Sequence, residues 1–276
     1  MSQENIDNRE DFDSRKDEAM PVELTSTPVR KASRPAANAG ISFWNTRYGV
    51  IQSGKEDDVI AHSLAQYGEW SEQELDTIGA LLDEGSIALQ YGAEYGAQTL
   101  YFSNLVGSTG QVHVVEPRRL EHIALCNAVA LNTMRNVYPH HLALDKEPGR
   151  ITLPASSSQP EERVQAVSLD SLELPALHLL KLNPPACLIP VLAGAAETVR
   201  EHKPAIYFRL STMELAVDEV AALKALGYRC WSHLPYLYNR VNHASNKLNV
   251  FPGWTHRNVI AVHRDTPAEF EHLPEL

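Results

Sequence analysis

Two glycines, Gly92 and Gly96, stand four positions apart directly after the apolar run at 86–91. Glycine tolerates positive φ and lets backbone N–H groups approach a ligand, and a helix N-terminus behind such a loop favours negative charge. Glu116 lies 116 − 92 = 24 positions beyond Gly92, at the end of a second apolar run, 111–115. A carboxylate there can accept hydrogen bonds from the adjacent hydroxyls of a ribose. Glycine turn and late acid together point to an adenosine-type nucleotide. His140-His141 would imply a metal only with an acid or third histidine beside them, so no metal is expected.

These residues need elements to position them. The spacing Ser71-Glu-Gln-Glu74 reads as a capping box opening a helix with Leu75, Ile78, Leu81 and Leu82 on one stripe, closed by Gly85. A strand over 86–91, the glycine loop, a helix over 97–106, a strand over 111–115 and a helix over 118–131 make a βαβ unit. Further strands are expected near 137–144, 150–153, 164–169, 177–182 and 205–210. A helix is expected over 188–202, and another, capped by Ser211-Thr-Met-Glu214, runs to 226. Strands at 228–234 and 258–263 finish the sheet. Strands alternating with helices predict an α/β fold with a mostly parallel sheet covered on both faces.

The chain has 276 residues, and its formal charge is 24 − 35 = −11. That size suits one α/β domain with extensions. The net acidity argues against a nucleic-acid partner, which requires clustered cations. No apolar run approaches the roughly 20 residues of a membrane span. Cys126, Cys187 and Cys230 are widely spaced, so neither a disulfide framework nor a thiolate zinc site is implied, and a cytoplasmic location is the default. Residues 1–40 are polar, charged and Pro/Ala-rich and read as a disordered tail, either a passive leader or a docking segment for a protein partner; 41–276 read as the folded domain.

Several segments in order resemble the FkbM family of S-adenosylmethionine-dependent methyltransferases. They are Tyr67-Gly-Glu-Trp-Ser71, Tyr91-Gly-Ala-Glu-Tyr-Gly96, Val115-Glu-Pro117, Leu131-Asn132, Ser168-Leu-Asp-Ser-Leu172, Leu179-Leu-Lys-Leu-Asn183 and Leu192-Ala-Gly-Ala195. A C-terminal block, His233-Leu-Pro-Tyr-Leu-Tyr-Asn239 with Asn242, Asn246, Asn249 and Val250-Phe-Pro-Gly253, completes the likeness. The resemblance implies a Rossmann-like class I methyltransferase fold with an antiparallel last strand and S-adenosylmethionine as cofactor. It also implies methyl transfer to a hydroxyl of a sugar or other small-molecule acceptor. Gln90, Gly92, Glu94, Gly96 and Glu116 would be the cofactor-binding positions.

The chain departs from the family pattern at charged positions. Gln90 replaces an Asp, Glu94 an Asn, and Asn183-Pro-Pro-Ala186 an Asp-x-Glu-Gly; His178, Leu188 and Arg209 stand where further acids are typical. Amides hydrogen-bond but cannot serve as bases near neutral pH. The candidate bases are therefore His178, His233, His243 and His256; His233, within the C-terminal block, is the expected catalytic residue together with Asn183. The missing carboxylates leave a second reading, an inactive pseudo-methyltransferase acting as a regulatory or scaffold partner. A third, an amino-group methyltransferase, rests on Asn183-Pro184-Pro185, although Ala186 replaces the aromatic that would stack a planar amine.

Overall fold

A computed structural model describes residues 41–54, 58–155 and 160–276. Residues 1–40, expected as a tail, lie outside the described residues. The described chain opens with an antiparallel hairpin, β1 (Ser42–Thr46) and β2 (Gly49–Ser53). Asp58 caps α1 (Val59–Tyr67) by accepting from the Ile60 N–H, and left-handed Gly68 ends it. α2 (Glu72–Ile78) runs into one 3-10 turn, Gly79–Leu81. The capping box expected here does not form. Ser71 is left-handed with φ 54 and makes no cap bond, because Glu74 turns into the interior.

The βαβ unit follows as β3 (Ile87–Tyr91), α3 (Thr99–Val106), β4 (Gln111–Val115), α4 (Arg119–Leu131) and β5 (Val137–His140). The stretch expected as one strand over 137–144 divides in two. β5 joins the main sheet, whereas β6 (Ala143–Leu144) enters a small sheet with β7 (Gly149–Leu153) and β8 (Glu162–Val167), in the order β6-β8-β7. Pro139 is tolerated because β5 is an edge strand.

After β9 (Leu179–Leu182), the expected single helix is two, α5 (Leu188–Ala193) and α6 (Ala196–His202). At Gly194 the backbone passes so close to Asp145 that a Cβ would lie 2.3 Å from its carbonyl oxygen, and the helix breaks there. β10 (Ala205–Arg209), α7 (Met213–Ala225), β11 (Tyr228–His233) and β12 (Asn258–His263) complete the fold. Thr212, not Ser211, caps α7 by accepting from Leu215 N–H; the Ser211 hydroxyl donates to Glu219 at 3.1 Å.

The main sheet has seven strands in the order β11-β12-β10-β9-β3-β4-β5. β12 alone is antiparallel to its neighbours β10 and β11, while the pairs from β10 to β5 are parallel. Alternation along each strand divides the core. Leu89, Leu180, Leu182, Ile206 and Phe208 face α5, α6 and α7; Ala88, Leu179, Ala205 and Tyr207 face α2, α3 and α4. A third cluster joins the hairpin and α1 to Leu237 and Phe251 of the loop between β11 and β12. Among the described residues no helix is long and apolar enough to cross a membrane. From β3 the chain winds towards β5 on one side, and from β9 towards β10 on the other. The strand order therefore reverses between β3 and β9, where open α/β sheets place their ligand crevice.

Candidate functional site

A cleft of about 380 Å³ opens at that point, within the range of small-molecule sites. Its walls include Gly92, Glu94, Tyr95, Glu116, Asn183 and Arg209. β3 delivers the loop, in which Gly92 and Gly96 take φ of +88° and +85°, as the glycines led us to expect. Glu94 and Tyr95 also have positive φ, at 46° and 62°. Such backbone costs on the order of 1–3 kcal/mol per non-glycine residue and needs local restraint. Glu94 Oε2 accepts from Trp70 Nε1 at 2.8 Å, and the Tyr95 hydroxyl donates to Asp58 at 2.7 Å. Gly96 does not line the cleft. It lets the loop settle on α4, where an added Cβ would meet Ala128 at 3.2 Å.

Two side-chain amides fix the loop from beneath. Gln90, 1% exposed, donates to the Gly92 carbonyl at 3.0 Å and accepts from the Thr99 hydroxyl. Asn183 donates to the same carbonyl at 2.8 Å, and its own oxygen accepts from Lys181. A carboxylate at either position has no donor for Gly92. What the sequence presented as two lost acids is thus a pair of donors on one carbonyl. Gln90 lies under the cleft and not in its wall. Asn183 is in the wall, but both ends of its amide are bound inside the protein.

Glu116 meets the loop directly. Its Oε2 accepts from Ala93 N–H at 2.7 Å and its Oε1 from Arg118 N–H at 2.8 Å. Burial, and then the neighbouring Glu121 carboxylate, push the Glu116 carboxyl up to about 8 against those two N–H groups. The group also hydrogen-bonds the Glu121 side chain, and the lone pairs of its oxygens left over by these partners are open to a ligand's hydroxyls.

Glu74 of α2 is the second centre. It is fully buried and meets Lys181 Nζ at 3.1 Å, Gln98 Nε2 at 3.2 Å, Asn258 Nδ2 at 3.0 Å and His256 Nδ1 at 2.6 Å. Burial alone would raise its pKa; Lys181, His256 and Arg209 hold it well below the usual carboxylate range. A carboxylate only accepts, so the His256 proton sits on Nδ1. The His256 side chain is 15% exposed, and among the described residues its Nε2 has no hydrogen-bond partner. A carboxylate-oriented imidazole with a free Nε2 is a proton acceptor. His256 adjoins the cleft through Arg209, whose Nη2 lies 3.3 Å from its Nδ1, and through Trp70, which packs edge-on against it. Arg209 also reaches Glu94 Oε1 at 3.3 Å. Glu94 and Arg209 thus form an ion pair beside the cleft.

The expected base, His233, is not brought to the cleft. It is 8% exposed, with Nδ1 at 2.8 Å from the Tyr207 hydroxyl and Nε2 at 3.3 Å from Thr77 Oγ1. Both nitrogens are held inside the fold, and burial lowers its pKa. His178 accepts from Ile87 N–H at the opposite end of the sheet, and the His243 N–H donates to Glu69. His140 pairs with His113 at 3.1 Å, while His141 stacks on His122. Among the described residues no group of three or more His, Cys, Asp or Glu is set to hold a metal ion. Glu74, Lys181 and His256 form the unit that sequence reasoning missed. The available signal was Lys181, a charge inside the apolar run Leu179-Leu-Lys-Leu182, which requires a buried partner.

Numbered from β3, the main-sheet order is 3-2-1-4-5-7-6 with an antiparallel seventh strand, the Rossmann-like class I methyltransferase fold. No protein-family model matches the chain, and no curated protein matches it in sequence. Solved structures similar to it include the methyltransferase FkbM from Methylobacillus flagellatus KT, at 15% identity and a TM-score of 0.46. That match covers 65% of this chain and 44% of the other, so the chain spans under half the length of that protein. A SAM-dependent O-methyltransferase from Thermotoga maritima is 14% identical over 83% of this chain and 80% of its own, with a TM-score of 0.46. A SAM-dependent methyltransferase from Aquifex aeolicus is 17% identical over 74% and 93%, with a TM-score of 0.42. Identity at this level concerns the fold alone.

Proposed function

We propose that the protein is an S-adenosylmethionine-dependent methyltransferase acting on a hydroxyl of a sugar or small metabolite, in the manner of the FkbM family. The observation that carries this reading is the convergence of the glycine loop and Glu116, joined by the 2.7 Å Ala93 bond, on one wall of the cleft. Glu116 offers acceptor oxygens to the ribose hydroxyls in this reading, and the acidic side chains of Asp58, Glu94 and Glu121 line the cleft beside Arg118 and Arg209. When bound, S-adenosylmethionine supplies an activated methyl group. The chain's own contribution to the acceptor is a base, and that role falls to His256. Its Nε2 takes the hydroxyl proton while Glu74 holds Nδ1 and stabilises the imidazolium that forms.

Calorimetric titration with S-adenosylmethionine tests the cofactor reading. Binding is expected, with Glu116→Ala weakening it by roughly tenfold, the loss of the hydrogen bonds it makes to the ribose. Absence of heat from the wild-type protein sinks the reading. For the base, His256→Gln is expected to keep cofactor affinity and to lose about 10²–10⁴-fold in methyl release with a hydroxyl acceptor. Full turnover of that variant would overturn the role of His256.

A further inference from the structure

A second cavity of about 580 Å³ shares no lining residue with the cleft. One wall is α7. That helix buries Glu219 and Leu223 towards the core, at 2% and 0% exposure, yet turns a second apolar strip outward, with Val217 70% exposed. Ala216, Val217, Val220 and Ala221 form this wall, and Leu210, Ser232, Leu234 and Leu276 complete the uncharged side-chain lining. An amphipathic helix of a globular domain ordinarily needs one apolar stripe. Val220 of the second strip also packs against the core, while Val217 beside it is left facing outward.

Two cations belong to the same trough, Lys224 on the last turn of α7 and Arg257 just before β12. Among the described residues neither side chain has an ion pair or hydrogen bond. The acid whose charge acts on Lys224, Glu275, is held through both oxygens by Arg229. In a chain of net charge −11, a concave apolar lining with two uncommitted cations is complementary to an apolar body bearing a negative head. A second copy of the chain fits poorly: a two-fold contact sets the same patch against itself and brings like charges together.

We propose that this trough binds a free aliphatic carboxylate, its chain along α7 and its head group at Lys224 or Arg257. Such a site uses no residue of the cleft wall, and it does not rest on the methyltransferase reading.

The test is calorimetry of the full chain with octanoate, decanoate and dodecanoate below their micelle concentrations, with decyltrimethylammonium as the oppositely charged control. One site is expected, tightening several-fold with each added pair of methylenes, as burial of apolar surface requires, with no binding of the control. Lys224→Glu combined with Arg257→Glu is expected to lower carboxylate affinity at least tenfold, and Val217→Glu, at an exposed position, to abolish it. Thermal unfolding of the variants should match the wild type. The proposal is overturned by absence of heat with all three carboxylates, by equal affinity in the charge-reversed variant, by comparable binding of the cationic control, or by sedimentation showing a dimer that Val217→Glu dissociates.

Discussion

Asn183 and Gln90 donate to a single carbonyl, and this sets what substitution there must do. Asn183→Asp replaces the donor facing Gly92 with an acceptor, leaving two oxygens opposed in a buried wall. The expected cost is about 1–3 kcal/mol in urea unfolding, the penalty for stranding a buried polar group. Gln90→Asp should cost a similar amount, and the two together less than their sum, since both act on one acceptor. A variant Asn183→Asp as stable as the wild type would show that the amide pair does not hold the loop. At this scale the sequence revealed backbone needs better than side-chain partnerships. Gly92 and Gly96 were legible because a positive φ favours one residue type, and Glu116 because it ends a strand at a set distance from them. Asn183 looked like a loss because its new partner, the Gly92 carbonyl, is far away in sequence.

At the scale of elements, α2 is pinned to the middle of the sheet by the Glu74–Lys181 pair, with side chains 0% and 1% exposed. Removing one partner leaves the other charge buried and uncompensated. Glu74→Gln should therefore cost about 3–5 kcal/mol, and Glu74→Leu with Lys181→Met should cost more still, because the buried donors of Gln98, Asn258 and His256 then lose their acceptor. Chemical denaturation of both variants checks the order; stability equal to the wild type would mean that the charges contribute little. Strands and most helices were legible from apolar runs and glycine stops. The divisions of β5 from β6 and of α5 from α6 were not, because tertiary contacts set them, such as the pressing of Gly194 on Asp145. The exchange of His233 for His256 as candidate base has the same origin. Both histidines lie in the C-terminal part of the chain, and only the packing of Tyr207 and Glu74 separates the imidazole that is enclosed from the one that reaches solvent.

For the whole molecule, stability should fall on the alkaline side. The Glu116 carboxyl lies near 8 when folded, against about 4.3 in an unfolded chain, so the folded state binds this proton more tightly. The stabilisation is fully present below the unfolded value and is lost as pH rises through 8. Glu72 and Glu219, also raised by burial, act in the same direction, so the useful readout is a difference between proteins. Between pH 5 and 9 the Tm of the wild type should drop more steeply than that of Glu116→Gln, even though the variant starts lower for want of one acceptor oxygen. Parallel slopes would remove Glu116 from the account. The reversed direction of β12 has a further consequence. β11 ends at His233 and β12 begins at Asn258, so the intervening loop leaves and rejoins the sheet on the face that holds the cleft. Lengthening such an excursion costs little, about 0.6 kcal/mol for each doubling. Natural variation and engineering alike can rewrite the largely exposed stretch at 241–248, while Leu237, Phe251 and His256 hold the ends of the excursion and every strand underneath keeps its register.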